Sequence, residues 1–209
     1  MSRRWRDLVG TSYSGPLWDA VRAGHPPFVE AVLADARTTA RLRGDRYEFR
    51  SRFDAGVQAI RLAFVSDSFF AQMCYRAKAA CQAHRIPLIP RIFHRLAMMT
   101  GQICIGDPVV VRPGVYIPHG QVVVDGVVEV GEGVVLFPWV TIGLVAGHMV
   151  GPTLGPNASI GSGAKVVGPV RVGAGAKVGA NAVVLEDVPD RTTVVGVPAV
   201  PTRASTPVT

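Results

Sequence analysis

The sequence predicts a mainly β protein: a prism-shaped parallel β-solenoid behind an N-terminal α-helical domain. Three observations predict it. From Val130 to Val184 an aliphatic residue opens each hexad, at Val130, Leu136, Ile142, Leu154, Ile160, Val166, Val172, Val178 and Val184. Four places after most of these stands Val or Ala: Val134, Val140, Ala158, Ala164, Val170, Ala176 and Ala182. A period of six fits neither a helix nor an alternating strand. It fits a solenoid in which each hexad makes one short flat face and a turn, three hexads close a coil, and the openers stack as interior ladders. Secondly, from Gly101 onward charge falls while Val, Gly and Pro rise. Thirdly, apolar residues before that point fall at helical spacing. The expected division is a helical domain over residues 1–100, a solenoid over 101–200 and a flexible tail over 201–209.

Within the helical part, residues 1–15 are expected to be poorly ordered. Pro16 suits a first helical turn, and His25-Pro26-Pro27 breaks that helix. A second helix is expected over 27–42, with Phe28, Val32 and Leu33 on one face, and Gly44-Asp45 as a turn. A third is expected over 46–64. Ser66 or Asp67 would cap the next, which carries Phe69, Phe70, Met73, Cys74, Ala77 and Cys81. Pro87 and Pro90 punctuate, and a last helix covers 91–100.

Two irregularities interrupt the prism. The hexad phase slips by one between Ile117 and Val124, around His119. Residues 144–153 fit the repeat badly, and a continuous coil would put His148 at an interior position. A buried polar ring there would need partners, so a loop thrown out from the prism is expected, with His148 on it.

The chain has 22 Lys and Arg against 15 Asp and Glu, a net charge of +7. That excess favours an anionic partner such as a nucleotide phosphate or an acidic carrier protein. The basic residues are densest from Arg37 to Arg52 but lack an interleaved aromatic motif, which argues against nucleic acid. Three cysteines, Cys74, Cys81 and Cys104, without a repeating pattern argue for a reducing compartment, the cytoplasm. MSRRWRDLVG has no apolar signal-peptide core. Residues 133–164 carry no Asp, Glu, Lys or Arg, but seven Gly and three Pro exclude a membrane span.

Several segments together resemble a known family: AQMCYRAKAA, IGDPVVVRPGVYIPHG, WVTIG, IGSGAKVVGPVRVGAGAKVGANAVVLEDVP and VVGVPA. The likeness covers about Asp67 to Pro201 and is to hexapeptide-repeat acyltransferases, most closely the serine O-acetyltransferases. The resemblance implies a left-handed parallel β-helix. It also implies a homotrimer or a hexamer formed as a dimer of trimers, with acetyl-CoA or another acyl-CoA in the groove between adjacent prisms and no metal. It implies direct acyl transfer, in which a histidine takes the proton from an acceptor hydroxyl and a donor group faces the developing oxyanion.

His119 falls where the family's Asp-His pair supplies the base, with Pro118 in the place of the Asp. The family's second active-site His falls on Val150-Gly151-Pro152, and His148 lies upstream as its candidate replacement. These departures imply a small-molecule acceptor other than free serine, an amino-acid derivative or a specialised metabolite, with Trp139 and Leu144 giving its pocket an apolar character. On the donor side the resemblance assigns Gly143, Gly161, Ser162, Ala164, Lys165, Arg171 and Lys177 to CoA or to the phosphopantetheine of an acyl carrier protein. Arg203 would join them. A non-catalytic trimeric scaffold, or inactive relative, is the alternative that the missing Asp and His raise. A metal hydratase needs three histidine ligands, and this prism holds only His119 and His148.

Overall fold

A computed structural model describes residues 15–202 of the 209. The expectations for residues 1–14 and for Arg203 lie outside the described residues. Among the described residues five helices come first: α1 (Gly15–Gly24), α2 (Phe28–Arg43), α3 (Arg52–Val65), α4 (Phe69–Ala83) and α5 (Ile89–Gly101). The expected third helix begins six residues late. Ser51 caps it, its hydroxyl accepting the Asp54 N–H at 3.1 Å, while Arg46 grips the Asp54 carboxylate at 2.7 and 3.0 Å. That fork holds residues 46–51 outside the helix. Neither Ser66 nor Asp67 caps α4. Ser68 occupies the cap position, and its hydroxyl donates to the Ile117 carbonyl instead.

The strands wind into a three-faced prism. The first coil is β1 (Ile103–Ile105), β2 (Val110–Val111) and Tyr116, which bridges to Val135. The second is β3 (Val122–Val124), β4 (Val127–Val130) and β5 (Val135–Leu136). The third is β6 (Thr141–Gly143), β7 (Val150–Leu154) and β8 (Ser159–Ile160), and the fourth is β9 (Lys165–Val167), β10 (Arg171–Val172) and β11 (Lys177–Val178). A fifth coil holds β12 (Val183–Val184), Val188 and β13 (Thr193–Val195). The chain then folds back as β14 (Val200–Pro201), antiparallel to β13, so Pro201, expected at the start of the tail, lies in a strand.

The first face stacks β1-β3-β6-β9-β12, the second β2-β4-β7-β10, and the third β5-β8-β11-β13-β14. Every hexad opener from Val130 to Val184 is at most 3 % exposed. The paired rungs Val124, Ile142, Val166 and Val184 on the first face recur at 18, 24 and 18 residues. The extra six are the loop 144–149. The expected loop is therefore four residues shorter than its sequence limits, because 150–153 return to the second face as β7.

The first coil has no coil above it, and its upward carbonyls would be unpaired. Helix α4 lies across this open end and supplies the donors. Lys78 Nζ donates to Ile105 O at 2.6 Å, Tyr75 Oη to Val109 O at 3.0 Å, and Gln72 Nε2 to Val115 O at 2.8 Å. Arg76 donates to Val111 O and Arg112 O, and its other guanidinium edge forks onto buried Asp35 of α2 at 2.8 and 3.0 Å. Asp35 also accepts the Val115 N–H. Each of these bonds prevents the larger penalty of a buried, unpaired carbonyl, about 1–3 kcal/mol. Ala71, Cys74, Tyr75, Ala79 and Ala97 from the helices pack in one core with the prism ladders.

His25, on the turn after α1, is mostly buried with neither ring nitrogen hydrogen-bonded among the described residues. Burial, with repulsion from Lys78, Arg76 and Arg112, pushes its pKa down to about 4. The folded state thus resists a proton that the unfolded chain accepts as pH falls through about 6.5. Stability from this group is full above that pH and is lost progressively down to about pH 4. His25→Leu removes the loss. Denaturant unfolding from about pH 7.5 down to 4 should show the variant gaining about 3 kcal/mol relative to wild type. A difference independent of pH would show that the fold leaves the His25 pKa at its unfolded value.

Candidate active site

The three faces meet at three edges, and the chemistry lies on the edges. Edge I joins the first face to the second and carries 106–109, 125–126 and the loop 144–149. Edge II joins the second to the third. Edge III joins the third to the first and carries 117–121, 137–140 and 161–164.

His119 stands on edge III, where the first coil turns beneath the helices. Its side chain is 61 % exposed, and its Nδ1 lies 2.9 Å from Asp67 Oδ2. Asp67 precedes α4 by two residues, so the helix that closes the prism also delivers a carboxylate to the histidine. The sequence reading had no carboxylate beside His119, since Pro118 fills that place. The signal lay 52 residues upstream, in the Ser66-Asp67-Ser68 turn read as a helix cap. The turn is fixed from both sides. Ser68 ties it to Ile117, and Gly120 seats against α5, where a Cβ would overlap the Gly101 carbonyl oxygen.

Further along edge III come Trp139 and Ser162. Trp139 has φ 67°, a left-handed conformation rare for a bulky residue, and is 62 % exposed. Asn181 holds the corresponding corner two coils on, also with positive φ. Lys165 Nζ donates to Trp139 O at 2.8 Å and to Thr141 Oγ1 at 3.1 Å. It secures the strained corner from the adjacent strand.

Other expected site residues are dispersed. His148 is exposed on the edge I loop, the position expected for it, but on a different edge from His119. Leu144 starts that loop and packs so closely on Gly126 that a Cβ there would overlap it. It therefore shares no pocket with Trp139 within one chain. Lys165, Arg171 and Lys177 lie on the first, second and third faces, so they do not converge on one phosphate. Arg171 is engaged by Asp190 at 3.2 Å. Ala164 is fully buried in the prism, where its side chain meets no ligand, and Gly161 is required by the coil beneath it, at Ala180 and Val178. Gly143 differs: a Cβ there would meet nothing within 4 Å, so the chain itself places no steric demand on it. Among the described residues no three His, Cys, Asp or Glu side chains gather as a metal-ligand group. No described helix is long and apolar enough to cross a membrane.

Comparison with known proteins bears directly on this arrangement. Residues 151–186 match the bacterial transferase hexapeptide (six repeats) family. A serine acetyltransferase from Helicobacter pylori is 40 % identical over 130 residues, 60 % of this chain and 75 % of that protein. The chain belongs to the serine acetyltransferase family. A Synechococcus elongatus serine acetyltransferase is 34 % identical over 158 residues, and the match spans 72 % of this chain and 64 % of the relative. The crystal structure of Neisseria gonorrhoeae serine acetyltransferase in complex with serine superimposes with a TM-score of 0.72 at 20 % identity, covering 89 % of this chain and 82 % of that one. The prism is thus the left-handed parallel β-helix of this family, as the resemblance implies, with the N-terminal helical region that the sequence predicts.

The Gly120 contact generates a test. Gly120→Ala must displace backbone on α5 or on the His119 turn, at a cost of about 1–3 kcal/mol. Gly143→Ala should change stability by less than about 0.5 kcal/mol. Chemical denaturation of the two variants checks both values; equal stabilities would mean that the turn is not seated on Gly101.

Proposed function

We propose that this chain is an acetyl-CoA-dependent acetyltransferase of the serine acetyltransferase type, with His119 as general base and Asp67 as its orienting carboxylate. The acceptor is a small amino-acid-like molecule carrying a hydroxyl or an amine. One observation carries the reading: the Nδ1 to Oδ2 contact of 2.9 Å on an open edge of the prism. It supports catalysis over a non-catalytic scaffold, because it supplies the carboxylate whose loss from the turn favoured the scaffold.

The chemistry follows from that contact. Asp67 accepts a hydrogen bond from Nδ1–H, which leaves Nε2 as the basic nitrogen, and its charge stabilises the imidazolium once it forms. Nε2 takes the proton from the acceptor hydroxyl as its oxygen attacks the thioester carbonyl carbon. The tetrahedral intermediate collapses with cleavage of the C–S bond. The imidazolium returns its proton to the departing sulfur, giving an acetyl ester and free CoA thiol. Acyl-CoA lies along edge III past Trp139 and Ser162, with Gly143 leaving room for close approach on the neighbouring face.

The assembly is a homotrimer in which edge III of one prism faces edge I of the next. This brings the His148 loop of a neighbouring copy to the His119 turn and resolves their separation within one chain. It also sets basic side chains from different faces around one groove, where the phosphates of CoA are held.

His119→Ala should cut acetyl transfer by about 10²–10⁴-fold, and Asp67→Asn by about tenfold or more, since orientation carries part of the base's contribution. Thiol release from acetyl-CoA in the presence of acceptor measures both. Full activity in His119→Ala would dismiss the dyad. A second experiment tests the shared groove. His119→Ala and His148→Ala, each impaired alone, should regain activity when dissociated and reassembled together, because some interfaces then carry both histidines. Mixed assemblies no more active than either parent would place His148 outside the site.

A further inference from the structure

Beside the dyad lies an apolar groove that acetyl transfer to serine itself would not need. It runs between α3 and α4, has a volume of about 440 Å³, and is walled by Ile60, Phe64, Phe70 and Met73. That volume falls in the range of small-molecule sites, roughly 300–1,000 Å³. Besides Thr100, whose hydroxyl donates to the Leu96 carbonyl at 2.7 Å, two polar groups enter this wall. One is Asp67, the same carboxylate that holds His119. Its Oδ2 is engaged by the imidazole, and among the described residues Oδ1 has no donor. The other is Ser66, 5 % exposed, whose hydroxyl has no hydrogen-bond partner among the described residues. A buried hydroxyl without a partner is costly, and here it borders the groove. The walls are open to solvent: Phe64 is 87 % exposed and Ile60 is 60 % exposed.

We infer that this groove receives an apolar arm of the acceptor, so that the preferred acceptor is an amino alcohol with a hydrophobic substituent on the amine-bearing carbon. The inference rests on the dyad reading and adds the acceptor's class to it. The occupant follows from charge and distance along one surface. The ionised amine pairs with Asp67 Oδ1, and the hydroxyl one carbon away reaches His119 Nε2. The third substituent on the same carbon is then directed between Phe64 and Phe70. In serine that substituent is a carboxylate, which an apolar wall beside an acidic residue disfavours. An aryl or alkyl group there buries apolar surface from both sides.

The test uses the full chain, acetyl-CoA, and three acceptors sharing one amino-alcohol core: L-serine, L-alaninol and L-phenylalaninol. Alaninol separates loss of the carboxylate from gain of an apolar arm. The expected kcat/KM for phenylalaninol exceeds that for alaninol by about tenfold or more, the discrimination that a buried apolar group provides. Phe64→Glu and Ile60→Glu, both at solvent-exposed positions, should bring that ratio close to one. Equal kcat/KM for the two amino alcohols in the wild type, or a ratio unmoved by both variants, would overturn the inference. So would a change of oligomeric mass in the variants without a change of ratio, which would make the α3 face a contact between copies. The two readings separate cleanly. His119-dependent transfer without preference for the benzyl arm overturns only the groove, whereas no transfer to any of the three acceptors overturns both.

Discussion

The open end of the prism is the constraint on which the rest depends. A solenoid pairs each coil with the next, so its first coil presents carbonyls with nothing to accept from. Here the carbonyls at 105, 109, 111, 112, 115 and 117 are met by side chains from one helix and the residue before it. The donors need length, which is why Lys, Tyr, Arg and Gln occupy a buried face that a helix would ordinarily fill with Leu or Ile. Their burial carries its own electrostatic cost. Asp35 offsets it at Arg76, since an unpaired buried guanidinium would cost several kcal/mol. Asp107 does so at Lys78, at 2.8 Å. Helices and prism are therefore joined by polar bonds of fixed geometry, which allow little sliding.

That rigidity has a chemical consequence. A helix pinned at six carbonyls has its N-terminus placed as accurately as its middle. The last of the six bonds, from Ser68 to Ile117, lies two residues from His119. Asp67 is the neighbour of the residue that makes it. A base must be held within hydrogen-bond reach of its proton, and here the bonding that satisfies the first coil also fixes His119, the proposed base, and the Asp67 carboxylate. His25 belongs to the same system from the other side: burial, with repulsion from Lys78, Arg76 and Arg112, holds it neutral.

The repeat was legible because periodic burial leaves a periodic sequence. Each opener named from the hexads is interior, and the loop holding His148 was found as a break in that rhythm. The helices were legible from apolar spacing, with their ends displaced wherever a side chain had a stronger partner elsewhere. The Arg46–Asp54 fork delays α3, and Ser68 bonds to Ile117 rather than capping α4. What could not be read was convergence in space. Asp67 and His119 are 52 residues apart and meet only because α4 crosses the prism end. The basic residues 165, 171 and 177 recur at the hexad period, which suggests a row. A three-faced prism instead turns each successive hexad onto a new face, and residues six apart diverge. Residues stack only after a full coil. Trp139 and Asn181 therefore hold corresponding corners, while Lys165 and Lys177 share no face.

In the proposed mechanism the origin of the carboxylate also decides which part of the molecule controls specificity. A carboxylate on the turn beside His119 would belong to the prism, whose corners are fixed by the coils above and below. Supplied by Asp67, it belongs instead to the junction of α3 and α4, and it brings the apolar walls of those helices to the reacting centre. The donor side can then remain on the even coils, where packing permits little variation. The proposed acceptor side lies on helices whose outward residues, Ile60 and Phe64 among them, are exposed and can change without disturbing the ladders. In this fold a change of acceptor requires no change in the repeat, because the group that orients the base comes from outside it.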